Sequence, residues 1–138
     1  MERNKKGDKM SFPKVEVRRG LAGLLWKQME PVNDVKKFQE LYKDKSLSIL
    51  YNLTDQPYSA LIRVEKGKLD IEHIKNEEDF LNNLQVDASM ACSTSIFFDF
   101  SSGSLSKLKA MVYMITGKIK IKNMKKMQEL AVIMELLG

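Results

Sequence analysis

One histidine and one cysteine are all that this 138-residue chain holds of the two commonest nucleophilic and metal-ligating side chains. With Cys92 alone, no disulfide can close within the chain. With His73 alone, no triad has a spare imidazole base and no metal site can draw on two imidazoles. The seven glycines are scattered singly, so no glycine-rich loop exists to cradle a phosphate. No apolar run approaches the roughly 18 residues that would read as a membrane span. The first residues are charged with no apolar stretch behind them, so no signal peptide is expected. Together with the lone cysteine, this leads us to expect a reducing, cytoplasmic setting.

What remains is an ordinary globular composition, 43% hydrophobic and 30% charged, with a length suited to one domain. The net charge of +5 is unevenly placed: residues 1–20 carry +4 of it, and the rest is nearly neutral. The reading is a basic, flexible leader over 1–20 and a single domain over 21–138. The leader is expected to be a solvated tail, with weak, transient contact with an anionic membrane as the alternative. Nucleic acid is an unlikely partner, because no aromatic residues interleave the basic ones and no recognition motif follows.

From Gly20 the apolar spacing becomes helical, with Leu21, Leu24, Leu25 and Met29 on one stripe until Pro31 ends it. Asn33 or Asp34 is placed to cap a second helix carrying Val35, Phe38, Leu41 and Tyr42. Strict alternation then begins: Leu47, Ile49, Tyr51 and Leu53 predict a strand, Tyr58, Ala60, Ile62 and Val64 a second, and Leu69, Ile71 and His73 a third. Lys66 and Gly67 supply the tight turn between the last two. This predicts an antiparallel meander with one dry face. A polar loop or short helix with Phe80, Leu81 and Leu84 follows, and Glu77, Glu78 and Asp79 there read as a helix N-terminal turn.

The most informative stretch is residues 87–127. Val86, Ala88, Met90 and Cys92 alternate as a fourth strand, Ser93, Thr94 or Ser95 caps a segment holding Ile96, Phe97, Phe98 and Phe100, and Gly103 stops it. Ser104 is placed to cap a helix over Leu105–Thr116, whose Leu108, Val112 and Ile115 recur at helical spacing as a sheet-facing stripe flanked by Met111. Gly117 then leads into an alternating strand from Lys118 to Lys122 and a Met-rich final helix. This order, with Gly117, Lys118, Ile119, Lys120 and Ile121 at the Gly-Lys-apolar-Lys-apolar positions, resembles the closing half of the sterol carrier protein type-two family. The resemblance covers roughly residues 32–138. In one departure, Lys122 runs straight into Asn123 and Met124, where family members usually place a glycine.

The resemblance implies an α+β fold, a single layer of five-stranded, mostly antiparallel sheet covered by helices. It implies an apolar cavity between the two that accepts a fatty acid, acyl thioester, phospholipid or sterol. By helix placement the cavity positions carry over to Phe97, Phe100, Leu108, Met111, Val112, Ile115, Leu130 and Met134. The chain stops at Gly138, without the extension and peroxisomal tripeptide of animal members, so peroxisomal targeting is not expected. The residues themselves point the same way, because His73 and Cys92 read as packing and the last third is rich in methionine, which accommodates variable apolar shapes. The expected function is non-catalytic lipid binding or transfer, with no cofactor and no metal. The alternative is a protein–protein interaction or dimerisation module beside a lipid-metabolising enzyme, with a homodimer as its simplest form.

Overall fold

The computed structural model describes residues 18–137. Five strands form one open sheet in the order β3-β2-β1-β4-β5. They are β1 (Ser46–Leu53), β2 (Tyr58–Glu65), β3 (Lys68–Lys75), β4 (Ala88–Cys92) and β5 (Lys120–Lys122). Neighbours pair antiparallel except β1 and β4, which run parallel. The sheet is therefore mixed but mostly antiparallel, and with six α-helices the fold is α+β.

Period-two alternation sends one set of side chains to a single covered face. Leu47, Ile49, Leu53, Ala60, Ile62, Val64, Leu69, Ile71, Ala88, Met90 and Cys92 are buried there. One register row crosses all five strands on this face, from His73 through Ala60, Tyr51 and Met90 to Ile121. His73 is the outer end of that row. Its ring meets Tyr58 edge-on at 5.2 Å, and its Nδ1 accepts the Arg19 N–H at 3.3 Å.

The opposite face is not wholly wet, contrary to the expectation of one dry face. Leu50, Leu61 and Ile74 form a second buried cluster there, with Leu81, Leu84 and Val86 packed against it. The cause is Leu81 of α3 (Glu78–Asn83), a helix whose first turn carries Glu78 and Asp79, together with Leu84 and Val86 just after it, which pack over Leu50, Leu61 and Ile74. Ser59 is buried beside this cluster. Its hydroxyl accepts from the Leu53 N–H at 3.2 Å and donates to Asn76 Oδ1, while Asn76 Nδ2 donates to the Leu53 carbonyl at 2.8 Å. Buried polar groups are thus satisfied in place.

On the core face, α1 (Leu21–Met29) buries Leu21, Ala22, Leu25 and Met29 and leaves Leu24 exposed. The domain's helical layer therefore includes α1, which lies outside the stretch that carries the sequence resemblance. Of the basic leader read over 1–20, residues 1–17 lie outside the described residues. Arg18 is docked: its guanidinium stacks 3.8 Å from the Trp26 ring centroid, its Nε donates to the Ile71 carbonyl at 2.9 Å, and it pairs with Asp70 at 3.1 Å.

A 3-10 turn over Glu30–Asp34 leads to α2 (Lys36–Leu41), which buries Phe38. Asn33 does not cap α2 as the sequence suggested. Its amide instead bridges to β3, donating to the Leu69 carbonyl at 2.9 Å and accepting the Leu69 N–H at 2.7 Å. The Lys66–Gly67 turn forms as expected, with φ of 52° and 74°. Gly67 is also a close approach, since a Cβ there would lie 2.7 Å from the Gln39 carbonyl oxygen.

The second half holds α4 (Thr94–Ser101), α5 (Lys107–Ile115) and α6 (Met124–Glu135). Ser93 caps α4 by accepting the Ile96 N–H. The cap of α5 is Ser106, not Ser104, and accepts from Lys109 N–H at 3.1 Å. Strand β5 begins at Lys120, not Lys118, because the amides of Lys118 and Ile119 both donate to the Tyr113 carbonyl and close α5 around Gly117, at φ 81°. Asn123 resolves the departure noted between strand and last helix. It takes the left-handed conformation that a glycine would, φ 63° and ψ 68°, and its side chain accepts the Lys126 N–H to cap α6.

Candidate functional site

Between the core face of the sheet and helices α1, α4 and α6 lies a pocket of about 480 Å³. Tyr51 and Met90, the middle of the register row described above, form its floor. Leu25 and Met29 enter from α1, Phe97 and Phe100 from α4, and Met124, Met127, Leu130, Ala131 and Met134 from α6. Five of the chain's nine methionines line it, and no lining residue carries a charge. That concentration matters because thioethers adapt to different apolar shapes.

The pocket has a dry interior and a wet rim. Leu25, Met29, Met90, Phe97, Met127 and Leu130 are buried, whereas Gln28, Ser101, Gln128, Phe100 and Met124 are exposed. The rim thus offers two amides and a hydroxyl around an apolar interior, the arrangement that holds the polar end of an amphiphile. Burial pushes the Tyr51 phenol up to about 12, so it stays neutral through the physiological range. Leu25, Gln28, Phe97 and Ser101 also border a second depression along the α1–α4 seam, lined further by Leu21, Leu24 and Phe98. The apolar surface therefore continues past the pocket itself.

A larger recess of about 940 Å³ opens on the opposite side of the sheet. It is lined by Asn52, Asn76, Glu78, Asn82, Ser93, Lys118 and Lys120 among others. Size alone would favour it, but its walls set the charges of Glu78, Lys118 and Lys120 beside Leu81, Ala91 and Ile96, and Asn52 and Asn76 are already committed to the Ser59 network. An apolar chain would meet charged groups there that the pocket under α6 does not present.

Four of the positions expected from sequence, Phe97, Phe100, Leu130 and Met134, come together around the 480 Å³ pocket. The other four do not. Leu108, Met111, Val112 and Ile115 lie on the outer face of α5, exposed by 74%, 57%, 48% and 82%. The sheet-facing stripe assigned to them is corrected: α5 turns Tyr113 toward the core instead. Periodicity identifies an apolar face without saying which way it points, and here the amphipathic Tyr113, with Lys109 and Lys118 ammonium groups 5.7 and 5.5 Å from its ring, takes the inward place.

Sequence reasoning missed Tyr51, Met90, Leu25, Met29, Met124 and Met127. Alternation already placed Tyr51 and Met90 on the inward face, and the i, i+3 pair Met124 and Met127 marked one face of the last helix. Leu25 and Met29 were legible as a helix stripe but lay outside the family resemblance.

Cys92 and His73 do not meet. They stand on β4 and β3, three strand positions apart in the sheet, about 14 Å at the usual strand spacing. Burial, with the Asp55 carboxylate adding to it, pushes the Cys92 thiol up to about 11. Asp55 is itself held low by hydrogen bonds from the Thr94 hydroxyl and N–H. Among the described residues no cluster of three His, Cys, Asp or Glu side chains is placed to hold a metal ion, and no helix is long and apolar enough to cross a membrane.

No protein-family model and no curated protein matches the sequence. Solved structures do match in fold. A structure described as UbiJ-SCP2, a ubiquinone synthesis protein, is 9% identical, with a TM-score of 0.50 over 84% of this chain and 86% of that one. A double mutant of the sec-alkyl sulfatase PisA1 is 11% identical with a TM-score of 0.50 over 69% of this chain, which spans only 14% of the sulfatase. Sterol carrier protein 2 from Yarrowia lipolytica, in its apo form, is 13% identical with a TM-score of 0.45 over 83% of this chain and 97% of that one. With its open mixed sheet, its helical cover and the strand–helix order of its closing half, the chain has the sterol carrier protein type-two fold.

Proposed function

We propose that this protein binds a lipid, one fatty acyl or comparably long apolar chain per molecule, in the pocket under α6, without catalysing a reaction on it. The observation that carries the reading is the uncharged, methionine-lined pocket of about 480 Å³ with its polar rim. That volume lies within the range of about 300–1,000 Å³ usual for small-molecule sites. Burying about 14 methylenes at about 0.8 kcal/mol each yields roughly 11 kcal/mol. Association costs about 4 to 15 kcal/mol, so the apolar term and the shape of the cavity decide the affinity. Gln28, Ser101 and Gln128 take the polar end at the rim. The UbiJ-SCP2 neighbour is named for the synthesis of ubiquinone, itself a lipid, and lends support to an apolar cargo.

The test is titration with a fluorescent fatty acid, combined with solvent extraction of the purified protein and mass spectrometry of what it retains. Saturation near one equivalent and a co-purifying lipid are expected. Absence of saturable binding across several chain lengths would discard the proposal in favour of an interaction module.

A further inference from the structure

Helix α5 leaves an apolar stripe uncovered. Leu108, Met111, Val112 and Ile115 follow one another at i, i+3, i+4 and i+7, and all four are exposed on the side opposite Tyr113. A helix turns about 100° per residue, so Lys107 and Lys109 fall on either flank of the stripe. Along the sequence the neighbourhood of α5 is one-signed. No acidic residue occurs from Phe100 to Gln128, while Lys107, Lys109, Lys118, Lys120, Lys122, Lys125 and Lys126 do. Among the described residues only Lys126 of these seven is in an ion pair, with Glu129 at 3.1 Å.

We propose that the outer face of α5 is a docking surface for an anionic lipid bilayer, with the stripe sunk into the headgroup and acyl boundary and the flanking Lys107 and Lys109 on lipid phosphates. An interfacial helix of this kind lies flat and buries its apolar face about 5 to 10 Å deep, and lysine stems on its flanks reach up to the headgroups. Charge complementarity selects this occupant over a second copy of the chain. A two-fold contact would bring Lys107 and Lys109 up against their own copies, and like charges across an interface are repulsive. An anionic membrane instead attracts each lysine within a Debye length. The proposal does not rest on the lipid-binding reading of the pocket, from which α5 is absent.

The experiment uses the full chain with vesicles of phosphatidylcholine and phosphatidylglycerol in equal parts, read by co-sedimentation. Binding is expected, falling at least about tenfold on pure phosphatidylcholine and again as salt is raised. The double variant Leu108→Asp, Ile115→Asp should lose at least about tenfold of the partitioning, and Lys107→Gln with Lys109→Gln, on the flanks of the stripe, should lose several-fold. A separate reading keeps the basic leader from confusing the result. Ile115→Cys, labelled with an environment-sensitive fluorophore while buried Cys92 is spared, should shift its emission to the blue on anionic vesicles. No binding by the parent overturns the proposal, as does undiminished binding by the double aspartate variant or an unshifted label. So does a concentration-dependent dimer that the double variant dissolves, which would assign the stripe to a second copy. Should the aspartates unfold the chain, the lysine variant and the label decide.

Discussion

The Phe97 ring stands edge-on to the Tyr51 ring, with centroids 5.3 Å apart and planes at 67°. This contact joins α4 to the central strand of the sheet, and both rings line the pocket under α6. An edge-to-face pair of this kind contributes about 0.5 to 1.5 kcal/mol beyond burial and fixes both rings. The pocket therefore has a rigid aromatic corner on one side and adaptable methionines on the other, which suits a binder of one chemical class and variable shape.

Filling the adaptable side separates pocket from core. Met134 is half-buried on α6 and lines the pocket. Met134→Trp should weaken fluorescent fatty acid binding at least about tenfold, or about 1.4 kcal/mol, with little change in the ligand-free melting temperature. A filled tight core would instead lose about 1 to 3 kcal/mol of stability. Leu108→Trp, on the exposed face of α5, should leave affinity unchanged. The reverse pattern would move the ligand to α5.

The second apolar cluster makes an independent claim about stability. Leu61 is fully buried against Leu50 and Ile74 on the side of the sheet away from the pocket. Leu61→Ala should cost about 2 to 5 kcal/mol in urea unfolding, while fatty acid affinity at saturating folded protein stays within about two-fold. A loss below about 1 kcal/mol would mean that α3 covers that face only loosely.

These two sites show what was legible in the sequence and what was not. Strand faces were readable, because a period of two leaves one choice of side, and Leu47, Ile49, Ile62 and Ile71 lie together as their alternation required. The β1–β4 parallel pairing was not, since nothing local to either strand specifies a partner across the intervening hairpin. For α5 the apolar stripe was visible and its direction was not. A helix with Leu108 and Ile115 on one side and Tyr113 on the other has two faces able to meet a core, and the one that does carries Tyr113, whose carbonyl accepts the Lys118 and Ile119 amides. Half of the candidate site was accordingly placed from α4 and α6, and the half assigned to α5 was not.

Asn123 tests a turn that sequence reading flagged only as a departure. Its left-handed backbone is tolerated by asparagine and free for glycine, while its side chain also caps α6 and donates to the Asp87 carbonyl at 3.1 Å. Asn123→Gly should therefore stay within about 0.5 kcal/mol of the parent, since a glycine cap loses only a few tenths. Asn123→Ala combines a lost cap with a strained backbone and should lose about 2 kcal/mol. Chemical denaturation of the two variants settles it: equal losses would mean that backbone conformation is immaterial there.

The alkaline limb of stability should be set by three buried or half-buried acids that the fold keeps protonated. Burial, aided by Asp55, moves the Cys92 thiol from an ordinary 9.0 to about 11. Burial moves the Tyr51 phenol from 10.0 to about 12. The Tyr42 phenol also goes from 10.0 to about 12, through burial and its 3.1 Å hydrogen bond to the Glu129 carboxylate. In each case the folded state holds its proton longer than the unfolded state does, so between the two values the unfolded chain binds fewer protons and stability falls as pH rises. Below the unfolded values the contribution is complete. The urea midpoint should thus be flat toward neutrality as far as these groups are concerned, and decline from about pH 9 toward pH 12. Cys92→Ala should remove the earliest part of that decline and move its onset toward pH 10, where the tyrosines begin. A midpoint that holds constant up to pH 11 in the parent would show that these side chains titrate as freely in the fold as in the unfolded chain.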